Sequence, residues 1–122
     1  MFWYFIAGLK VSDSTCKVML SSGELVFEAR VADSFFTKLA GIMFQRNFPY
    51  RALLFKDAFW IHSFFCLVNF HIVFLDKNFN VIQTFYDVKP NKILPPVFGA
   101  KYVIEFFDDS VKFNINEKLI IE

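Results

Sequence analysis

Residues 16–31 read CKVMLSSGELVFEARV and carry the clearest fold signal in the chain. The Ser-Ser-Gly at residues 21–23 is a turn sequence between two runs of strand-forming residues, so the stretch predicts a β-hairpin. In the second arm the apolar residues alternate with polar ones and fall on one face: Leu25, Phe27, Ala29 and Val31. Such alternation is typical of a strand with one face in a core.

Short strands of the same kind recur along the rest of the chain. They are predicted within residues 1–9 and at residues 52–55, 58–61, 72–75, 81–86, 102–106 and 118–121. A turn at residues 76–78 joins two of them into a second hairpin. The expected fold class is therefore mainly β, a compact antiparallel sandwich or barrel-like domain.

Helical signals are few. One helix is predicted after Asp33, a good N-cap, and ends before Gly41, a residue suited to the position just past a helix. A second short helical turn is considered at residues 111–113. Residues 87–100 contain three prolines and predict a long surface loop. If one or two short helices form, the domain could also be classed as α+β rather than mainly β.

Composition narrows the class of protein. The chain has 122 residues, 56% hydrophobic and 20% charged, which excludes intrinsic disorder, and residues 1–122 are expected to form a single domain. Thirteen basic and twelve acidic residues leave a net charge of +1, so no nucleic-acid partner is expected. Cys16 and Cys66 are too few for a disulfide framework and favour a reducing compartment.

The question of a membrane span arises at residues 58–75, which contain no Lys, Arg, Asp or Glu. His62, Ser63, Asn69 and His71 lie within this stretch, and polar groups are costly in lipid, so two buried strands are the better interpretation. Residues 1–9 lack the basic start and the cleavage site of a signal peptide. We therefore expect a cytoplasmic protein with no membrane span.

Familiar catalytic motifs are absent from the sequence. The four glycines are too far apart for a nucleotide-binding loop, and no Cys-x-x-Cys, His-Glu-x-x-His or Gly-x-Ser-x-Gly occurs. His62, Cys66 and His71 are of metal-ligand type, but a structural zinc site needs four ligands, so neither a metal nor another cofactor is predicted. Glu105 and Asp87 are of acid–base type, yet nothing in the sequence pairs them. No catalytic residue is assigned.

A candidate ligand pocket centres on His62 and Ser63, which interrupt an apolar strand and need polar partners when buried. Either they line a pocket in which Arg46 clamps a carboxylate or phosphate, or they bond backbone groups nearby. Trp60 is either a pocket floor or a core residue. Lys89, with Lys92 and Lys101, belongs either to a surface for single-stranded nucleic acid or to a set of charges that only keep the loop soluble. The candidate ligand-binding residues are Arg46, Trp60, His62, Ser63, His71 and Lys89.

Several segments, in order from about Val31 onward, resemble the domain-of-unknown-function family 192. Residues 41–46, GIMFQR, are similar to the family's Gly-Leu-Met-x-x-Arg, and residues 61–66, IHSFFC, are similar to the Ile-His-Thr-Phe-Phe-Met of one branch. Residues 100–105, AKYVIE, are similar to Ala-x-x-Val-Leu-Glu. The resemblance implies a β-sandwich-like domain with short helices, and no firm activity.

The chain departs from the family pattern at several positions. Asn69 and His71 stand where the family has Pro and Asp, Phe79 replaces a turn glycine, and Asn116 stands at the Gly of a Gly-Asp-Arg motif. If the family Asp performs chemistry, this chain either lacks that chemistry or uses His71 instead.

Three functional hypotheses remain. The first is a binding module for a small polar or anionic molecule near His62, Ser63 and Arg46. The second is a protein-interaction or self-associating domain without catalysis, docking through exposed aromatics or a sheet edge. The third is an enzyme with His62 as general base, which requires that His62 be reachable from solvent.

Overall fold

The structure is a computed structural model that describes residues 15–32, 51–57 and 69–122. This part of the chain forms strands, turns and loops and contains no helix. Its strands are β1 (Thr15–Leu20), β2 (Leu25–Ala32), β3 (Ala52–Lys56), β4 (Phe70–Leu75), β5 (Val81–Val88), β6 (Tyr102–Phe106) and β7 (Leu119–Ile121). The strand predicted within residues 1–9, the helix at 33–41 and the strand at 58–61 lie outside the described residues.

The strands form one sheet in the order β5-β4-β6-β3-β2-β1-β7. Both predicted hairpins, β1–β2 and β4–β5, are present and antiparallel. The mainly β class is thus confirmed. One pair, β2–β3, is parallel, with Arg30 opposite Leu53. A parallel pair requires a long connection, and residues 33–51 separate these two strands.

The sheet curls into a half-barrel because the strands at the two ends of the order meet. The Val81 N–H donates to the Glu117 carbonyl at 2.8 Å, and the Leu119 N–H donates to the Phe79 carbonyl at 2.9 Å. An antiparallel bridge joins Asn80 to Lys118 between them. In the segment between β6 and β7, Val111 and Phe113 pack inside the curl.

The curl gives the sheet an inner and an outer face. Residues from strands at both ends of the order share one buried cluster, which defines the inner face: Val18, Phe27, Ala29, Leu54, Val73, Val81, Ile104, Phe106, Phe113 and Leu119. Strands β3 to β6 also bury their other face, which we call the outer face: Leu53, Phe55, Phe70, Ile72, Phe74, Val88 and Val103. Leu94, Val97 and Ala100 of the loop after β5 pack against this outer cluster.

The alternation predicted for the second arm of the first hairpin holds for Phe27, Ala29 and Val31, which are buried. It is wrong for Leu25, which is 52% exposed. The cause is a β-bulge at the start of β2. Val18 pairs with Phe27 but Met19 pairs with Leu25, so Leu25 falls on the opposite face of the sheet from Phe27. The predicted loop at residues 87–100 is also shorter than expected, because β5 continues through Val88.

The helical turn considered at residues 111–113 is not present. The Asp108 carboxylate accepts hydrogen bonds from the Ser110 N–H at 2.9 Å and from the Ser110 hydroxyl at 2.6 Å, and the Val111 N–H donates to the Asp108 carbonyl. These bonds form one β-turn. The chain then leaves the helical path because the Phe113 N–H donates to the hydroxyl of Tyr86 at 2.9 Å.

Candidate functional site

His71 on β4 is a buried polar residue whose two ring nitrogens both have hydrogen-bond partners. The residue is only 4% exposed, and its ring faces inward, with its centre 5.2 Å from the ring centre of Phe106 and 5.8 Å from that of Tyr86. Nδ1 accepts a hydrogen bond from the Asp87 backbone N–H at 2.9 Å, and Nε2 lies 2.7 Å from an Asp109 carboxylate oxygen. Since a backbone N–H can only donate, Nδ1 is the acceptor, and Nε2–H donates to Asp109.

A β-bulge explains why Asp87 offers its N–H to a side chain. On β4 the ladder pairs Phe70 with Val88 and Ile72 with Phe85, so His71 faces two residues of β5. Asp87 has a φ of 56°, in the left-handed region, and its N–H turns away from the ladder. A buried donor without an acceptor is costly, and the ring of His71 supplies one.

The arrangement limits what His71 can do chemically. A catalytic His uses one ring nitrogen for a carboxylate and the other for the nucleophile's proton. Here the second nitrogen already accepts a backbone N–H, so proton transfer would require breaking the bulge. Among the described residues no group of three or more His, Cys, Asp or Glu side chains is arranged to hold a metal ion.

Among the described residues, Glu105 on β6 has the one buried side-chain oxygen without a hydrogen-bond partner. It lies on the outer face, opposite Leu53 of β3 and Ile72 of β4, and its side chain is buried. Its Oε2 has no hydrogen-bond partner within the described part of the chain. Burial raises the pKa of Glu105 from 4.5 to about 8. At neutral pH this carboxyl is therefore mainly protonated and carries an O–H donor.

The sequence marked Glu105 only as an unpaired acid–base residue, not as a ligand-binding one. A signal was available, because Glu105 stands in the run YVIEF at residues 102–106, where every neighbour is apolar or aromatic. A strand of that composition is buried on both faces, and a lone acid within it is a candidate site.

Of the six residues that the sequence predicts to bind a ligand, two lie in the described part of the chain and four do not. Lys89 is exposed at the start of the loop after β5, whereas His71 lies on the inner face. Arg46, Trp60, His62 and Ser63 lie outside the described residues, so the pocket around them stays a prediction. Over residues 15–32, 51–57 and 69–122, no helix is long and apolar enough to cross a membrane.

Comparison with known proteins assigns the family. The profile of DUF192, described as "Uncharacterized ACR", matches residues 18–117. A UPF0127 protein of Pyrococcus horikoshii is 35% identical over 101 residues, covering 75% of this chain and 85% of that relative. A UPF0127 protein of Thermococcus sibiricus is 34% identical over 82 residues, covering 62% of this chain and 52% of that relative. The chain thus belongs to the DUF192 family, whose function is uncharacterised, as its resemblance to the family predicted.

Solved structures share the fold. A proposed transcription regulator from Sinorhizobium meliloti superposes with a TM-score of 0.70 at 17% identity, covering 93% of this chain and 96% of that one. A protein of unknown function from Novosphingobium aromaticivorans gives a TM-score of 0.68 at 18% identity, covering 88% of this chain and 83% of that one. At this level of identity the likeness establishes the fold alone.

The departures from the family pattern have structural counterparts. Phe79 and Asn116, at positions where the resemblance implies glycine, have φ values of 66° and 71°, so both turns have the left-handed backbone that glycine adopts freely. Asn69 and His71 both contact Asp87, since the Asn69 side-chain amide donates to the Asp87 carboxylate at 3.1 Å. Asn69 and His71, the two residues at which the chain departs from the Pro and Asp of the resemblance, thus both bond to Asp87 at the same bulge.

Proposed function

We propose that the chain is a binding module for a small polar or anionic molecule, held on the outer face of the sheet against Glu105. The observation that carries this proposal is a buried carboxyl whose Oε2 has no partner among the described residues. A buried polar group without a partner costs about 1–3 kcal/mol. A ligand that hydrogen-bonds to Glu105 would recover that free energy, and an apolar side chain at this position would avoid the cost altogether.

The surroundings of Glu105 also suit binding. Leu53 and Ile72 flank it on the neighbouring strands, and the loop after β5 packs Leu94 and Val97 against the same outer cluster. Ligand sites combine apolar walls with a few placed polar groups, and a loop that borders a rigid sheet is a usual boundary for them.

The sequence-predicted residues enter this proposal as further ligand contacts. Arg46 remains the predicted clamp for a carboxylate or phosphate, with His62, Ser63 and Trp60 as predicted pocket residues. His71 faces the inner side of the sheet, away from Glu105, and both of its ring nitrogens are engaged, so it is not a contact for a ligand held against Glu105. Lys89 is exposed and is predicted to contribute at most a basic edge.

Thermal unfolding against a panel of small polar and anionic metabolites tests the proposal. A ligand at a hundred times its Kd adds about 2.7 kcal/mol to the free energy of unfolding, which raises the Tm by several degrees. We expect Glu105→Leu to abolish the shift and Glu28→Leu, at an exposed strand position, to retain it. An equal shift in the parent and in Glu105→Leu would contradict binding at this site.

A protein-interaction or self-associating role is the second candidate. It is favoured by two large apolar side chains on the loop after β5, Ile93 at 58% exposure and Phe98 at 83%. Exposed apolar side chains close together in sequence are a feature of protein-binding surfaces. Sedimentation velocity over a range of protein concentrations tests this candidate. We expect association that Phe98→Ser weakens if the loop docks a second copy, and a concentration-independent monomer if it does not.

A further inference from the structure

We propose that His71 is a pH-sensitive switch: when its ring takes a proton on Nδ1, the peptide between Tyr86 and Asp87 flips and the β-bulge changes its backbone conformation. This inference goes beyond ligand binding and is independent of it, because it depends on hydrogen bonds of the inner face. Its consequence is a change at the start of the loop after β5, which borders the outer face.

The observed hydrogen bonds fit only a neutral ring. Nδ1 of His71 accepts from the Asp87 N–H at 2.9 Å, and Nε2–H donates to the Asp109 carboxylate at 2.7 Å. Because Nε2 already carries a proton, the second proton that an imidazole can take goes to Nδ1. The new Nδ1–H would face the Asp87 N–H, and two donors cannot bond to each other. Protonation of His71 therefore breaks the hydrogen bond that holds the bulge.

The charged groups around His71 act on the two sides of its ring differently. The Asp109 carboxylate stays bonded to Nε2–H when the ring is protonated and supplies the counter-charge for the imidazolium. The other described charged or titratable groups on the neighbouring elements have contacts of their own or face outward: the Asp87 carboxylate with the Asn69 amide, Asp108 with Arg51, Lys112 with the ring of Tyr86, the Tyr86 hydroxyl with the Phe113 N–H, and Glu105 on the outer face. Protonation thus retains the bond to Asp109 and removes the bond to the Asp87 N–H.

A flip of the peptide between Tyr86 and Asp87 gives the protonated ring an acceptor. The Tyr86 carbonyl and the Asp87 N–H point in opposite directions, because the peptide is planar and trans. Rotation of this unit turns the carbonyl oxygen toward Nδ1–H and moves the φ of Asp87 from 56° to about −124°. An aspartate adopts that extended conformation without strain, whereas 56° lies in the left-handed region. The neutral ring is therefore what holds Asp87 in the less favourable conformation.

The position of the flip connects the two faces of the sheet. Val88 follows Asp87 directly, pairs with Phe70 on β4 and packs in the outer cluster. The loop that begins there packs Leu94 and Val97 against the same cluster. A proton taken up by His71 on the inner face therefore alters the backbone at the point where the loop of the outer face begins.

NMR of the full chain from pH 8 down to pH 5, the interval in which histidine side chains commonly change charge, tests the switch. The ring nitrogen signals of His71 report its protonation, and the coupling between the amide and α-protons of Asp87 reports its φ. We expect that coupling to increase as the ring gains its proton. We also expect the protection of the Asp87 amide, corrected for the intrinsic exchange rate at each pH, to fall by about tenfold or more with the same midpoint.

Two variants separate the ring from its neighbour. His71→Asn places an amide oxygen at the same number of bonds from Cα as Nδ1 and cannot be protonated, so Asp87 should keep its coupling and its protection at every pH. Asp87→Asn keeps the backbone N–H and the tolerance for a left-handed φ but removes the carboxyl, so residue 87 should still respond to the His71 ring.

The parent chain decides the proposal even if a variant fails to fold, because ring and backbone are measured in the same molecule. A coupling and a protection at Asp87 that stay constant while the His71 ring gains its proton overturn the switch, and so does a ring that stays neutral over the whole interval. An equal response at Asp87 in His71→Asn also overturns it. Loss of the response in Asp87→Asn does the same, since the carboxyl of residue 87 would then be its source.

Discussion

Replacing Glu105 with Gln should remove the contribution of Glu105 to the pH dependence of folding stability between pH 6 and pH 8. The folded chain holds the Glu105 proton up to about pH 8, whereas an unfolded chain releases it near 4.5. Between these values the folded state binds about one proton more than the unfolded state. The free energy of unfolding therefore falls by about 1.4 kcal/mol per pH unit, or roughly 2 kcal/mol from pH 6 to pH 8.

The sign of the effect follows from the direction of the pKa shift. A carboxyl whose pKa is raised by folding contributes most stability below its unfolded pKa, and that contribution is lost as pH rises through the folded value of about 8. The parent should thus be less stable at pH 8 than at pH 6. In Glu105→Gln the side chain is neutral in both states, so its share of the slope disappears.

Urea unfolding followed by circular dichroism at pH 6, 7 and 8 measures this difference. The quantity that matters is the slope of the parent minus the slope of the variant, because every other titrating group cancels in the subtraction. Glu28→Gln is the matched control, since Glu28 is exposed on β2 and should retain the parental slope. A parental slope in Glu105→Gln would refute the argument that burial holds Glu105 protonated.

Other changes test the packing and the ion pairs by urea unfolding. Tyr86→Phe should cost about 1–3 kcal/mol, because the N–H of the buried residue Phe113 loses its acceptor; an unchanged midpoint would count against that bond. Phe113→Ala should cost about 3–5 kcal/mol as a large-to-small core change, and a cost below about 1 kcal/mol would mean that the curl is not packed there. His71→Phe should speed amide exchange at Asp87, whose N–H loses its acceptor, and unaltered protection would argue against the assigned tautomer. Lys101→Gln should leave the midpoint unchanged, because its ion pair is exposed to water, and a clear loss would show a structural role for that pair.

Much of the local structure follows from the sequence by itself. The alternation after residue 25 and the turn sequences at residues 21–23 and 76–78 identify both hairpins, because side-chain period and turn chemistry are local properties. The apolar run at 102–106 likewise identifies β6 with its observed bounds. The family resemblance also holds, since it depends on short motifs that can be recognised without coordinates.

The surroundings of His71 and Glu105, in contrast, depend on pairing between strands that are distant in the chain. His71 was a ligand candidate until the register of β4 against β5 set its Nδ1 against the Asp87 N–H, and until the segment after β6 brought Asp109 to Nε2. Glu105 was one acid among twelve acidic residues until β3 and β4 paired with β6 and placed apolar residues on both sides of it.

Within residues 15–32, 51–57 and 69–122, the sequence by itself determined approximately which residues form strands, and the tertiary structure decided which faces of those strands are buried. The parallel pair β2–β3 and the meeting of β5 with β7 both arise from contacts between residues distant in the chain. A strand pattern specifies that one face is apolar, but the partner that covers each face is selected by the free energy of the whole assembly. For that reason the buried carboxyl of Glu105, on which the proposed function rests, is a property of the folded sheet.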